Sequence, residues 1–366
     1  LQPGAWLANY VVWNWIDGGD KPLEFGWGDT PHVDNALPAY SLFSHMANIR
    51  HLYGKAAPQA AAFARHAQSL LPFKGYTGDW FIYPFLLSEM ERSPEPFQPE
   101  RLPHARHFES MGQIYMRSGT GPEDTYCLFT AGGTLAQHRH FDSLGFIIYH
   151  KGHLALDSGT RYKEEVNGQH LANYFAQTVA HNCVVVHQPG EPPARYWGGT
   201  VEGNHGGQHK ALGSVVKAFE TNDNYVYAAG DATECYLHGP VKREGQPDLP
   251  EKVSLVTRQI VFLMPGHFVV FDRVASASGS SRIWTLNVPG LATQTGNVIS
   301  FVNGANRLDV HRIAPTAIGA TISDRRIEIA DSASGESLFL NVLGTNGSVA
   351  SATAANGNGT TGVTFS

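Results

Sequence analysis

Cysteine is scarce: three occur in 366 residues, at positions 127, 183 and 235. They stand far apart in apolar runs (TYCLFT, HNCVVV, TECYLH), which form neither a disulfide framework nor a Cys-x-x-Cys metal motif, so buried structural thiols are expected. Charge is scarce as well. Asp, Glu, Lys and Arg make up 16% of the chain and the formal net charge is −6. That balance leaves no global basic field, which excludes general binding to nucleic acid or a membrane surface but leaves room for a local basic patch facing an acidic ligand. No apolar run reaches the roughly 18 residues that a membrane-spanning helix needs. The signatures G-x-S-x-G and G-x-x-x-x-G-K-[ST] are missing, so serine-hydrolase and P-loop NTPase readings lack support. The chain opens on Leu1 with no signal-type stretch ahead of its first apolar segment, which reads as a processed mature form or a piece of something longer.

Turn formers, by contrast, are abundant: 39 glycines and 21 prolines. With about 100–200 residues per domain, the length suggests two or three domains, and the composition suits a turn-rich β protein. Residues 1–105 read as helical, with helices predicted over 5–16, 40–53, 58–71 and 83–90, in the manner of part of a helical hairpin array. Beyond the Pro-rich stretch SPEPFQPERLP the period changes to two. Strands are predicted over 113–118, 125–131, 145–150, 153–158, 182–187, 211–220, 225–233, 253–263, 267–275 and 282–288. Close turns between them indicate an antiparallel sandwich or supersandwich over 106–345. The remainder, 346–366, is a Gly/Ala/Asn/Thr-rich tail in which GVTFS suggests a last strand.

The densest polar cluster is Gln137-His138-Arg139-His140-Phe141-Asp142. In an extended segment alternate side chains share a face, so His138, His140 and Asp142 are expected on one side and Arg139 and Phe141 on the other. His140, with Asp157 and His181 from neighbouring strands, offers two imidazoles and a carboxylate, a set that suits a three-ligand zinc site with an open fourth position. The alternative at this point is that these are polar surface or hydrogen-bonded core groups among 18 histidines. Other candidates are Trp27, Asp29 and His32 in FGWGDTPH, a loop able to line a sugar subsite, and Arg195-Tyr196-Trp197 ahead of a Gly/His-rich loop. His205 and His209 are four apart, but the glycines around them exclude an H-E-x-x-H-like zinc helix.

The string HRHFDSLGFIIYHKGHLALDSGTRY, followed by FAQTVAHNCVVV, resembles the β-domain signature of heparinase II/III-type polysaccharide lyases. So do MRSG before it, TRQIVFLMPGHFVVFDRV after it, and the FGWGD segment, which resembles the end of that family's (α/α) toroid. The resemblance covers most of residues 1–345. It implies an α+β multidomain chain: the C-terminal part of an (α/α) toroid followed by an antiparallel β-sandwich, with the upstream toroid segment absent from this chain. It also implies a structural zinc held by His140, Asp157 and His181, and a His138 that enters the active-site cleft.

Such lyases cleave a glycosidic bond beside a uronic acid by β-elimination. A group facing the carboxylate favours the enolate-like intermediate, a base removes the C5 proton, and an acid protonates the leaving oxygen. His138 fits the first or second role. The family's tyrosine base belongs upstream of the matched region, so Tyr162 and Tyr174 are the candidates from the β side. Trp27, Arg139, Arg195 and Trp197 are the substrate-binding candidates. Arg139, which strand geometry turns toward the structural side, joins Arg161, Lys163, Arg195 and Lys210 as cations able to make a basic cleft. The partner expected is an acidic, uronate-containing polysaccharide such as heparan sulfate or alginate, met in the periplasm or outside the cell; a homo-dimer is also contemplated. Two rival classes remain, a zinc-dependent glycan hydrolase and a non-catalytic carbohydrate-binding protein of the same fold.

Overall fold

The computed structural model describes residues 10, 12–20, 22–29, 46–50, 55, 57–70, 96, 98, 102–159, 169–197, 200–316, 319–323, 325–331, 334–357 and 360–366. The chain divides into two compact units. One comprises Leu1–Phe25, Asp34–Pro103 and Gly119–Pro122; the other comprises Gly26–Val33, His104–Ser118 and Glu123–Ser366.

In the first unit a short ribbon pairs β1 (Trp15–Asp17) with β2 (Pro22–Glu24). Of the helix expected over 5–16, Tyr10 and residues 12–14 are helical, the chain extends at Trp15–Ile16 instead, and residues 5–9 and 11 lie outside the described residues. The reason is local. Asp17 Oδ1 accepts the N–H of Gly19 at 2.9 Å, and Gly19 takes a left-handed φ of 83°, which closes a tight turn. The ribbon buries Trp15 and Ile16. Helix α1 (Pro58–Leu70) follows, opened by a proline whose missing N–H costs nothing at that position. Its Ala60–Ala64 stretch is buried, and Phe63 meets Trp15 edge-on at 5.3 Å. Of the helix expected over 40–53, residues 46–50 are helical and the rest lie outside the described residues, as does 83–90. No toroid is traced among the described residues.

The second unit is antiparallel β throughout its named strands. Five strands run in order: β3 (Ala105–Phe108), β4 (Gln113–Arg117), β5 (Thr125–Thr130), β6 (Phe146–His150) and β7 (His153–Ala155). A four-stranded sheet joins β17 (Ala320–Ser323), β18 (Arg326–Asp331), β13 (Ser281–Asn287) and β8 (Val184–His187). The largest sheet has eight strands. They are β14 (Ala292–Thr295), β15 (Val298–Asn303), β16 (Asn306–Ala314), β19 (Ser337–Thr345), β12 (His267–Ser276), β11 (Val253–Leu263), β10 (Tyr225–Asp231) and β9 (Val215–Thr221).

Strand β11 shows why these segments become strands: Val256, Arg258, Ile260 and Phe262 alternate inward while the residues between them are more exposed. The inward residues of all three sheets form one continuous core, including Ile114, Phe129, Ile148, Val184, Phe268 and Trp284. Cys127, Cys183 and Cys235 are buried and unpaired.

The tail is a paired ribbon, β20 (Ala352–Gly357) with β21 (Thr360–Phe365). Its Ala352, Val363 and Phe365 pack with Ile313, Leu340 and Val342 in a separate cluster. No helix among the described residues is long and apolar enough to cross a membrane.

Candidate functional site

The loop between β5 and β6 carries the histidine cluster, and it is not extended. His138 has φ 59° and Leu144 φ 67°, two left-handed residues that break the two-residue period. The shared face expected for His138, His140 and Asp142 therefore does not form. The His138 side chain is 52% exposed, whereas His140, Asp142, Arg139 and Phe141 are all buried.

What gathers the histidines is Asp29, from the FGWGD segment. Its Oδ2 lies 2.6 Å from His138 Nδ1, its Oδ1 lies 3.0 Å from His140 Nε2, and Tyr196 donates its hydroxyl to Oδ1 at 3.2 Å. The main chains dock as well, with Asp29 N–H donating to the His138 carbonyl at 3.3 Å. A Cβ on Gly28 would stand 2.4 Å from that carbonyl oxygen, so only glycine permits the approach.

His140 sits in an aromatic cage. Phe175 lies 4.7 Å away and Tyr196 5.4 Å away, both edge-on, and the His181 ring is at 5.3 Å. Burial pushes the His140 imidazole below its ordinary pKa. For His181 burial pulls the same way, but the Asp157 carboxylate, with Asp142 behind it, outweighs burial and raises the pKa. Burial holds the Asp142 carboxyl above the usual range.

The donor set has part of the chemistry of a metal site. His140 Nδ1 is buried without a hydrogen-bond partner, and His181 Nδ1 stands 3.1 Å from Asp157 Oδ1, the carboxylate that raises its pKa. Imidazole nitrogens beside a carboxylate have the chemistry zinc selects. In their present arrangement, however, no three His, Cys, Asp or Glu side chains among the described residues converge as a formed metal site.

The other candidates fall as follows. Trp197 is exposed, with φ 54°, and stacks on His138 at 5.8 Å and 24° between rings; Arg195 beside it is exposed too. Trp27 is half-buried and lines a narrow cleft with Gln113, Thr130, Gln137, Arg139 and Asp142. The Arg139 side chain is 5% exposed, 3.9 Å from Asp142, and so is not presented to a polymer as a surface cation. Tyr174, in the single helical turn Leu171–Phe175, donates to Ser158 Oγ at 2.7 Å. Lys210 is half-exposed and pairs with Glu234 at 3.6 Å. Tyr162, His32, Arg161 and Lys163 lie outside the described residues.

The sequence offers Asp29 either as a sugar-subsite residue or as loop packing, and in the structure its carboxylate faces two histidines. The signal that could have exposed this was the glycine before it. Gln208 was missed altogether. It is fully buried and pins Ser143 from both amide ends, accepting from its N–H at 3.0 Å and donating to its carbonyl at 2.8 Å.

Residues 100–244, which hold the HRH loop, match the family described as heparinase II/III-like, C-terminal. Among solved structures the fold resembles a heparinase III (TM-score 0.65, 12% identity, covering 98% of this chain and 50% of the other). It also resembles the heparan sulfate lyase HepC from Pedobacter heparinus (0.62, 12%, 94% and 49%) and a further heparinase III structure (0.59, 13%, 100% and 53%). The chain thus spans about half the length of these relatives. No curated protein sequence matches it.

Proposed function

We propose that this chain is part of a polysaccharide lyase that cleaves a uronate-containing acidic polysaccharide, either a glycosaminoglycan such as heparan sulfate or else alginate, by β-elimination. The observation that carries the reading is the half-exposed His138, which lies inside the matched heparinase II/III-like segment and is held against Asp29 from outside it. In the proposed reaction the His138 imidazole faces the uronate carboxylate or takes the C5 proton. Trp197, exposed beside it, offers a flat apolar face to a pyranose ring, and Arg195 adds a cation within two residues. Tyr174 and Tyr162 are the β-side candidates for the proton donor to the leaving oxygen. The base contributed by a toroid would come from a longer protein.

A zinc ion belongs to the same proposal as a structural element. His140 through Nδ1, Asp157 and His181 would hold it, and it would fix the loop that carries His138. The setting proposed is periplasmic or extracellular, where such polymers are met.

The test uses the full-length protein with heparan sulfate, chondroitin sulfate and alginate. Rising ultraviolet absorbance from the unsaturated product, abolished by His138→Ala, is the expected result. Saturated products would indicate hydrolysis instead, and binding without turnover of any polymer would indicate a carbohydrate-binding protein.

A further inference from the structure

We propose that Asp29 is the positioning residue of His138, fixing its neutral imidazole as the form protonated on Nδ1 and leaving the Nε2 lone pair as the reactive one. A carboxylate only accepts hydrogen bonds, so the nitrogen 2.6 Å from Asp29 Oδ2 must carry the proton. The nitrogen on the other side of the ring then bears the lone pair, and which nitrogen does so is set by the partner of the first.

The clamp is itself held rigidly. The Asp29 side chain is 8% exposed; its Oδ1 is engaged by His140 Nε2 and by the Tyr196 hydroxyl, and its Oδ2 meets His138. Backbone and side chain interlock in both directions. Asp29 N–H donates to the His138 carbonyl, and His138 Nδ1–H donates to the Asp29 carboxylate. Trp197 covers one face of the imidazole. With one edge and one face occupied, a ring on a half-exposed side chain presents Nε2 to whatever docks there. Asp29 touches His138 and His140 at once, so one carboxylate sets the orientation of the surface histidine and of the caged one. It acts through the imidazole and is not itself a catalytic residue.

The role of this lone pair in turnover rests on the lyase reading; the tautomer does not, and the two are measured separately. Full-length protein labelled with 15N-histidine is examined by long-range proton–nitrogen correlation, with the His138 signals assigned by their loss in His138→Gln. Neutral His138 is expected to carry its proton on Nδ1 in the wild type and to shift toward the Nε2-protonated form in Asp29→Ala. Asp29→Asn, whose amide oxygen still accepts, is expected to retain the wild-type form.

On the polymers above, Asp29→Ala should lower kcat on the order of 100-fold with KM changed less than about threefold, and Asp29→Asn should recover part of the loss. An Nε2-protonated His138 in the wild type overturns the proposal, even if Asp29→Ala fails to fold. So does a tautomer unchanged in a folded Asp29→Ala. A tautomer that shifts as expected in a protein that turns over no polymer keeps Asp29 in its positioning role and removes the lyase reading instead.

Discussion

Arg258 Nη1 donates to the main-chain carbonyl of Leu144 at 2.6 Å, joining strand β11 to the loop that carries the histidines across 114 residues of sequence. The same nitrogen donates to the Asn182 carbonyl, next to His181, while Nε donates to Asp272 Oδ1 at 2.6 Å and Nη2 to Oδ2 at 3.1 Å. The guanidinium is fully buried, and its pairing with Asp272 holds its pKa above the ordinary value against the pull of burial. One side chain therefore braces both segments of the candidate site from beneath. Truncating one member of such a buried pair strands a charge, which costs about 3–5 kcal/mol. Arg258→Ala should lower the unfolding free energy by that amount in urea titrations. Arg258→Lys keeps the charge but loses the fork, and should fall between the two.

A second buried pair predicts a compensable loss. Lys252 Nζ stands 2.6 Å from Glu191 Oε2 and donates to the Gly207 carbonyl at 2.6 Å, with both side chains fully buried. His209 Nε2 meets the same carboxylate oxygen at 3.0 Å. Lys252→Met leaves the carboxylate without its cation and should cost about 3 kcal/mol or more. Lys252→Met with Glu191→Leu should recover part of that loss, because the apolar pair needs no desolvation repayment. A double-mutant cycle by urea unfolding measures the difference, and simple additivity of the two losses would show that the pair is not coupled.

Gly28 is expected to tolerate no side chain. Its φ of 59° strains any L residue, and the added Cβ would fall 2.4 Å from the His138 carbonyl oxygen. Gly28→Ala should therefore destabilise by more than about 1 kcal/mol and free the Asp29 segment from the histidine loop. Hydrogen exchange followed by mass spectrometry reads this directly: faster exchange is expected over residues 131–145, with unchanged exchange in the distant strands β15 and β16. Wild-type protection of that loop in the variant would contradict the close-approach argument.

The sandwich was legible because strand periodicity is a local signal. Residues 253–263 were predicted and observed as the same strand, since a run rich in β-branched and large apolar residues between turn formers is a local signal. The end of the first helix was not legible, because the apolar Trp15-Ile16 suits helix and ribbon equally and the Asp17–Gly19 turn decides for the ribbon. The site was legible in membership but not in geometry. His138 and His140 stood out as residues, yet their common face depended on an extended backbone that the left-handed His138 interrupts. Their meeting at Asp29, 109 and 111 positions away, arises from loop docking that no periodic pattern records. The buried brace of Arg258 was equally invisible, because an arginine inside an alternating strand looks in sequence like an outward residue.

Glu24 gives the ribbon β1–β2 a pH dependence of definite sign. Burial raises its pKa to about 7, only partly opposed by the hydrogen bond from Asn14 Nδ2 to Oε2 at 3.1 Å. The folded state therefore favours the protonated carboxyl, whereas the unfolded chain ionises near the ordinary value of 4.5. Below that value both states hold the proton and the contribution is present in full. As pH rises toward about 7 the unfolded chain releases its proton first, so the stabilisation declines, and above the folded pKa it is gone. The largest change this shift can produce is about 3 kcal/mol, at 1.36 kcal/mol per unit. Urea unfolding near pH ~5 and near pH ~8 should show the wild type losing more stability between the two than Glu24→Gln, whose neutral amide does not titrate. A wild type and a variant with parallel pH profiles would mean that the Glu24 carboxyl is solvated in the folded protein.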